Sequence, residues 1–348
     1  MMTIHNGITE LVGQTPLLRL TRFSQQHQLT ADLVAKLEYF NPNHSIKDRT
    51  ALAMIEAAER SGKLRPGMTL VDTTSGNTGI GLAAIAAAKG YKFRVYLHDK
   101  LSAERFAILN AFGAEIIPFS AVPGFDKVIE ASDGDFVAAA RWLADNVILK
   151  EPNICFTCQL ENPANPQAHF HNTGPEIWQQ AGGQVDVLIA SVGTGGTLSG
   201  AGRYLKQLNP QIALIAVEPG RFSIPDKDNP DTREITGVHA FSEVPPERVP
   251  LTLDRGLCDE AIAVESWQAV QTAREVALSD GILVGESSGA VLYAAREVAR
   301  RPEYAGKRIV AILADSGLTY LSTGLFDPGL SVEQLQAAAL NRQAEAIA

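Results

Sequence analysis

The residues best placed to do chemistry lie in the stretch Asn41-Pro42-Asn43-His44-Ser45-Ile46-Lys47-Asp48-Arg49. Asn-Pro and the polar residues after it mark a loop. Ser45 is a good N-cap for a helix carrying apolar Ala51, Leu52, Met54, Ile55 and Ala58. Lys47 then falls in a first turn, where the backbone N–H groups and the helix dipole disfavour a cation. An amine held there tends toward a lowered pKa, which suits a nucleophile at neutral pH. Taken alone, the same stretch also reads as a solvated lysine beside an Asp/Arg pair.

Other stretches follow strand-like runs and open helices. In Ser191-Val192-Gly193-Thr194-Gly195-Gly196-Thr197 the glycines let backbone N–H groups approach an anion, and Thr194 and Thr197 add hydroxyl donors. It reads as a phosphate cradle, although it is neither a Walker A loop nor GxGxxG; a tight βα turn is the plain alternative. Thr73-Thr74-Ser75-Gly76-Asn77-Thr78-Gly79 surrounds Gly76 with more hydrogen-bonding side chains than capping needs, which suits a carboxylate. An over-capped helix is the alternative there. In Gly285-Glu286-Ser287-Ser288-Gly289, Ser287 is either a cap or a ligand. Such turns gather at the carboxyl ends of parallel strands. One phosphate site, one carboxylate site and one amine match pyridoxal phosphate acting on an amino acid.

These turns need a framework of alternating strands and helices. Residues 18–35 read as a linker with a strand on either side, the second at 32–38. A helix follows Lys47, then strand 69–72, helix 79–89, strand 91–97, helix 102–112, strand 114–118 and a long helical stretch 124–146. A second series runs through helix 168–180, strand 185–190, helix 198–207 and strand 212–217. Residues 223–250, rich in Pro, Asp and Glu, read as a long surface loop, a kind that is often functional. Helices 266–279 and 287–300 bracket a short apolar strand at 282–284, strand 308–313 closes the sheet, and 332–348 is a short amphipathic helix and tail. The rhythm predicts an α/β fold with parallel strands and helices on both faces.

The length of 348 residues suggests two domains, and 45% apolar with 20% charged residues is a globular profile. A net charge of -9 without a basic stripe excludes a nucleic-acid partner. The longest apolar run, 82–88, is too short to cross a bilayer, so no membrane role is expected. Met1-Met2-Thr3-Ile4-His5 has no basic region followed by an apolar core, and the expected localisation is cytoplasmic. The cysteines are Cys155, Cys158 and Cys258. The Cys155–Cys158 pair falls on a strand-like run with its thiols on opposite faces, so ordinary reduced cysteines are expected. Neither that pair nor His169-Phe170-His171 has enough ligands nearby for a metal.

A set of ordered motifs adds to this reading: Leu11-Val12-Gly13-Gln14-Thr15-Pro16-Leu17, the Lys47 stretch, Thr74-Ser75-Gly76-Asn77-Thr78-Gly79, Asn162-Pro163-Ala164-Asn165-Pro166, Gly193-Thr194-Gly195-Gly196-Thr197 and Asp315-Ser316-Gly317. Together, over residues 8–323, they resemble the cysteine synthase family. These are pyridoxal-phosphate β-replacement enzymes that include O-acetylserine sulfhydrylase and the catalytic core of cystathionine β-synthase. The resemblance implies a two-domain, fold type II α/β enzyme, each domain a mostly parallel sheet flanked by helices. Residues 1–11 and 34–152 would form a small mobile domain with Lys47 and the Asn77 loop. Residues 12–33 and 153–326 would form a large cofactor domain, and 327–348 a C-terminal helix and tail.

By the same resemblance Lys47 forms the internal aldimine and moves protons at the substrate α-carbon. Gly193, Thr194, Gly195, Gly196 and Thr197 hold the phosphate, Asn77 the ring oxygen and Ser287 the pyridine nitrogen. Thr74, Ser75, Gly76, Asn77, Thr78, Gln159 and Gly237 bind the substrate. A neutral serine at the ring nitrogen makes a weaker electron sink than a carboxylate would, favouring β-elimination over a long-lived carbanion. The implied course is loss of the leaving group from O-acetylserine to an α-aminoacrylate, then addition of sulfide to give L-cysteine, in ping-pong order. Closure of the small domain, a homodimer and serine acetyltransferase as a partner belong to the same implication.

The chain departs from the family pattern around the substrate. Leu160 follows Gln159 where an aromatic is usual, and Thr236-Gly237-Val238-His239-Ala240 places a histidine where glycine would leave room. Glu286 brings a charge beside Ser287, Asn43-His44 replaces small residues, and Leu318-Thr319 replaces a charged pair. These changes leave the cofactor set intact and bear on the substrate pair. The alternatives are O-phosphoserine as donor, with Arg221 the nearby basic residue, or an amine such as glutamate or a larger thiol such as homocysteine as acceptor. A non-catalytic regulatory homologue is a further reading, against which Lys47, Asn77 and Ser287 stand intact.

Overall fold

The structure is a computed structural model that describes residues 4–74, 76–99, 101–131, 136–225, 229, 231–327 and 329–347. Short apolar runs rich in Val, Ile and Leu become its strands: β1 (Leu17–Arg19), β2 (Asp32–Leu37), β3 (Thr69–Thr73), β4 (Lys92–Leu97), β5 (Glu115–Pro118), β6 (Ile154–Phe156), β7 (Val187–Ser191), β8 (Ala213–Pro219), β9 (Glu260–Val264) and β10 (Arg308–Leu313). They form a six-stranded sheet in the order β1-β2-β10-β7-β8-β9 and a four-stranded sheet in the order β5-β4-β3-β6. Every pairing is parallel except β1 with β2. Parallel strands with both faces covered are nearly continuous in apolar residues, and β7 and β10 are buried almost throughout.

The helices between them are α1 (Thr21–Gln26), α2 (Lys47–Arg60), α3 (Asn77–Lys89), α4 (Ala103–Ala111), α5 (Phe125–Ala131), α6 (Phe136–Asn146), α7 (Ala164–Ala168), α8 (Gly174–Gln180), α9 (Gly196–Leu208), α10 (Ser266–Asp280), α11 (Glu286–Ala299) and α12 (Val332–Ile347). Among the described residues no helix is long and apolar enough to cross a membrane.

Several expectations are corrected. Strand β10 does not close the sheet; it lies at its centre, between β2 and β7. The edge opposite β1 is β9, Glu-Ala-Ile-Ala-Val, a strand outside those expected, while 282–284 makes only the single bridge Val284–Ser316. The linker holds α1, and the stretch 124–146 is two helices. The helix expected at 168–180 begins at Ala164 and passes through a π-turn, His169–Thr173, before α8. Residues 223–250 are no mere surface loop, since Ile235, Val238, Phe241 and Val249 are buried in the cores on the larger sheet. Strand β2 pairs along its length with β10, so residues 34–37 fall with the larger sheet, and β6 pairs with β3, so 154–156 fall with the smaller.

Candidate active site

Helix α2 begins at Lys47 itself, two residues later than expected. The Lys47 N–H donates to Ser45 Oγ at 3.2 Å, so Ser45 still caps it, from outside the helix. Asp48 and Arg49 are buried, which removes the solvated-surface reading. Asp48 accepts from the Asn43 N–H at 2.7 Å and from Asn43 Nδ2 at 3.2 Å, fixing the preceding loop. His44 takes φ +63° in that loop. The Lys47 amine is pushed below the ordinary lysine value by burial, with the Asp315 carboxylate opposing. Desolvation is the main cause. No hydrogen bond from the described residues engages its Nζ.

Asp315, just past β10, is where the separate turns meet. Its carboxylate Oδ2 accepts from Asn77 Nδ2 at 2.7 Å and from the Tyr320 hydroxyl at 2.7 Å. Its carbonyl accepts from the Gly285 N–H at 3.2 Å, tying in the Ser287 turn. Ser45 bridges to the same residue, and the Ile46 N–H donates to the Ala314 carbonyl at 2.8 Å. Burial raises the Asp315 carboxyl above its ordinary value, and the donors Tyr320 and Asn77 oppose this. In the sequence Asp315 stands out only within Asp315-Ser316-Gly317; a carboxylate two residues past a buried apolar strand is the further signal it carries.

The stretch Gly193–Thr197 joins β7 to α9. Gly195 has φ +79°, and a Cβ there would lie 2.5 Å from Leu253 Cβ. At Gly196 it would lie 2.1 Å from Asn165 Oδ1. Side chains are thus excluded on the protein side at the start of α9, which suits a close backbone approach to an anion. Thr194 Oγ1 accepts from Asn165 Nδ2 at 2.9 Å and from the Gly196 N–H at 3.3 Å, leaving its own proton to donate outward. Thr197 Oγ1 lies 3.4 Å from His169 Nε2. His169 is buried and also meets Thr50 and Thr173, so its ring nitrogens are engaged by hydroxyls. Burial, with Arg49 and Lys47 adding, holds its ring well below the ordinary histidine value and hence neutral. Among the described residues no cluster could hold a metal ion. This cradle and the unengaged Lys47 amine fit pyridoxal phosphate.

The carboxylate loop opens α3. Thr74 and Thr78 are buried, and Thr78 Oγ1 donates to Gln159 Oε1 at 2.6 Å, which brings together residues 81 apart in the chain. Gly76 N–H donates to Thr74 Oγ1 at 3.3 Å. Ser75 lies outside the described residues. Ser287 is buried as the second residue of α11, at the helix N-terminus.

The departures take definite places. Glu286 does not project an unmatched charge. It accepts from Arg233 Nη2, from the Thr236 N–H at 3.1 Å and from Thr236 Oγ1 at 2.7 Å, and so pins the turn that carries Gly237. Gly237 is exposed, and its carbonyl would lie 2.5 Å from a Cβ on Gly193, so this turn packs on the cradle. The His239 N–H donates to the Val192 carbonyl at 2.7 Å. The His239 residue itself is exposed. Arg221 is exposed on the turn Arg221–Ser223 that follows β8.

The family model described as pyridoxal-phosphate dependent enzyme matches residues 8–315. A cysteine synthase of Staphylococcus aureus is 41% identical over 322 residues, 92% of this chain and 97% of that protein. Among solved structures, a cysteine synthase from Entamoeba histolytica aligns with a TM-score of 0.80 at 33% identity, covering 97% of this chain and 96% of the other. An O-ureido-L-serine synthase aligns at 0.78 and 35% identity, covering 94% of this chain and 96% of that one.

Proposed function

The chain belongs to the pyridoxal-phosphate dependent enzymes, and from that premise we propose that it replaces the acetoxy group of O-acetyl-L-serine with sulfide, giving L-cysteine and acetate. The observation that carries the reading is the meeting of the Lys47, Asn77 and Gly285 turns at Asp315, beside a cradle that only glycines permit.

Pyridoxal phosphate, when bound, supplies an electron sink for charge at the substrate α-carbon. Lys47 would hold it through its amine, the Gly193–Thr197 backbone and the Thr194 proton its phosphate, and Ser287 its ring nitrogen. Thr74 by its hydroxyl, Gln159 by its amide and Thr78 by its helix N–H would hold the substrate carboxylate, since the Thr78 hydroxyl proton is given to Gln159. Asn77 keeps one amide proton for the cofactor, because the other is given to Asp315. Lys47 removes the α-proton and later returns it. The β C–O bond breaks with its electron pair leaving on acetate, and sulfur then bonds to the same carbon. A homodimer belongs to the same reading, with serine acetyltransferase as a further partner; sedimentation of the purified protein checks the first.

The test is a visible-absorption titration. O-acetylserine should shift the cofactor band, sulfide should restore it, and mass spectrometry should find cysteine. The names of the similar proteins diverge over the product, so O-phosphoserine and glutamate are run in parallel as donor and acceptor. A band that stays unmoved by O-acetylserine sinks the reading.

A further inference from the structure

Glu286 opens α11 one residue before Ser287 and is 3% exposed. An acid in a first turn suits the helix dipole, yet that purpose is met with the side chain in water. Here it is buried, where an unpaired charge is costly, and both of its oxygens have partners. One takes Arg233 Nη2, and the other takes both the N–H of Thr236, at 3.1 Å, and its hydroxyl, at 2.7 Å. Thr236 and Gly237 are the central residues of a turn closed by the Val238 N–H on the Ile235 carbonyl at 3.1 Å. Gly237 has φ +76°, as the third position of a type II turn requires. Ile235 and Val238 are buried in the core on either side, whereas Gly237 is exposed and lies against Gly193 of the cradle. Arg233 Nη1 donates to the Thr323 carbonyl at 3.2 Å, at the end of the turn that begins at Gly317. Glu286 and Arg233 therefore tie the Gly237 turn to the start of α11 and to the turn whose Tyr320 rests on Asp315.

We propose that Glu286 and Arg233 are positioning residues for the amino-acid donor, which hold the Thr236–Gly237 turn in the one conformation that the donor meets. The ends of this turn are anchored by apolar burial, but its centre contains a glycine and has little else to fix it. Glu286 supplies the missing restraint by taking both donors of Thr236. Arg233 keeps that carboxylate charged and in place, since its own position is set by the Thr323 carbonyl. With an apolar residue at 286, the Thr236 N–H would turn to water and Arg233 would lose its counter-ion. The turn would then be ordered only when the donor binds, and that ordering is charged to affinity. Once the donor is bound the turn is the same in both cases, so the rate of the chemical step is little changed. The pair therefore acts through Thr236 and Gly237 and not on the reacting atoms.

The inference rests on the β-replacement reading for the identity of the donor, and the test separates the two. Holoenzyme is titrated with O-acetylserine and with L-serine, an amino acid without the leaving group, and the cofactor absorption is followed. Glu286→Leu should keep the wild-type spectrum before titration. It should raise half-saturation for both amino acids at least about tenfold, with the maximal rate within about threefold. Arg233→Met should act in the same direction. The double variant should fall short of the product of the single effects, because each substitution removes the other's partner. Thr236→Val loses the hydroxyl and keeps the N–H; it should give a smaller rise, and it carries the test if the buried substitutions do not fold. Hydrogen exchange without any amino acid should find the Thr236 amide at least about tenfold faster in Glu286→Leu than in wild type. The proposal is overturned if folded, loaded variants keep half-saturation within about twofold of wild type, or if the maximal rate falls while half-saturation stays. An unchanged Thr236 exchange rate overturns it as well. If O-acetylserine leaves the wild-type spectrum unmoved and L-serine shifts it, the β-replacement reading falls and the L-serine titrations still judge the pair. If neither amino acid shifts it, both readings fall.

Discussion

Burial acts on two ionisable residues of the site with opposite consequences. For Lys47 it favours the neutral amine, against the pull of Asp315. Lys47→Ala should therefore lower turnover by about 10²–10⁴-fold and remove the donor-induced absorption change, because it takes away the amine assigned to exchange the α-proton. For Asp72 burial favours the neutral acid. The side chain lies at the end of β3, 1% exposed, and takes bonds from Thr157 Oγ1 at 2.5 Å and the Thr73 N–H at 2.6 Å. Desolvation outweighs these donors and raises its carboxyl to about 7 from 3.8. The folded protein then holds this proton more tightly than the unfolded chain does. Its stability contribution is full below pH 3.8 and is lost as the pH rises through about 7, a total of roughly 4 kcal/mol. Urea midpoints at pH 4.5 and pH 8 should show wild type losing stability relative to Asp72→Asn over that interval. Parallel pH profiles would mean that Asp72 titrates as an ordinary carboxyl.

Helix α2 is held in place by a buried, charge-balanced network that reaches across elements. Arg49 donates to Glu38 at 2.7 Å, at the end of β2, and to Glu176 at 2.7 Å, on α8; Lys36 reaches Glu176 at 2.8 Å. Burial raises the Glu176 carboxyl, but Arg49 and Lys36 outweigh it and hold the group at about 2, against 4.5 unperturbed. Stability from this carboxylate is present above pH 4.5 and is lost as the pH falls toward 2. Glu176→Gln should cost about 3–5 kcal/mol at pH 7, because two cations are left buried with one carboxylate, and the gap to wild type should narrow by pH 3. No periodicity in the sequence announces this network, since Lys36 reads there as the polar residue of an alternating strand. What was legible were the elements with a strong period and clear ends, such as β3, β4, β8 and α3, which stops at Gly90 with φ +77°. What was missed follows from physics that acts between segments. The β9 edge strand is Glu-Ala-Ile-Ala-Val, too polar to stand out until β8 pairs with it, and Ile282–Val284 is apolar because it is packed, not because it is paired. The site residues were legible as turns. Their convergence on Asp315 was not, because it depends on β10 lying at the sheet centre rather than at its edge.

Across the whole molecule, the helices on the smaller sheet meet the turn after β10 on a small, polar seam. Ser102 Oγ donates to the Thr319 carbonyl at 3.3 Å, and Glu104 accepts from the Ser322 N–H at 2.8 Å and the Ser322 hydroxyl at 2.5 Å. The Arg105 guanidinium lies 4.7 Å from the centre of the Tyr320 ring, whose hydroxyl is on Asp315. The seam thus runs from α4 straight to the carboxylate that receives Asn77. The Glu104–Ser322 contacts are exposed, so they are individually weak and can be broken and remade in each turnover, unlike the apolar cores on the two sheets. If the half bearing α4 must part from the turn at Gly317–Thr323 to admit the donor and close again over it, Glu104 helps set that balance. Glu104→Gln removes a charged acceptor of two hydrogen bonds and should favour the open form. The expected result is a donor half-saturation raised roughly two- to tenfold in the absorption titration, with a maximal rate equal to or above that of wild type, since release is eased. Because Glu104 touches neither cradle nor carboxylate loop, a fall in maximal rate with unchanged half-saturation would count against closure at this seam and leave α4 as a fixed wall.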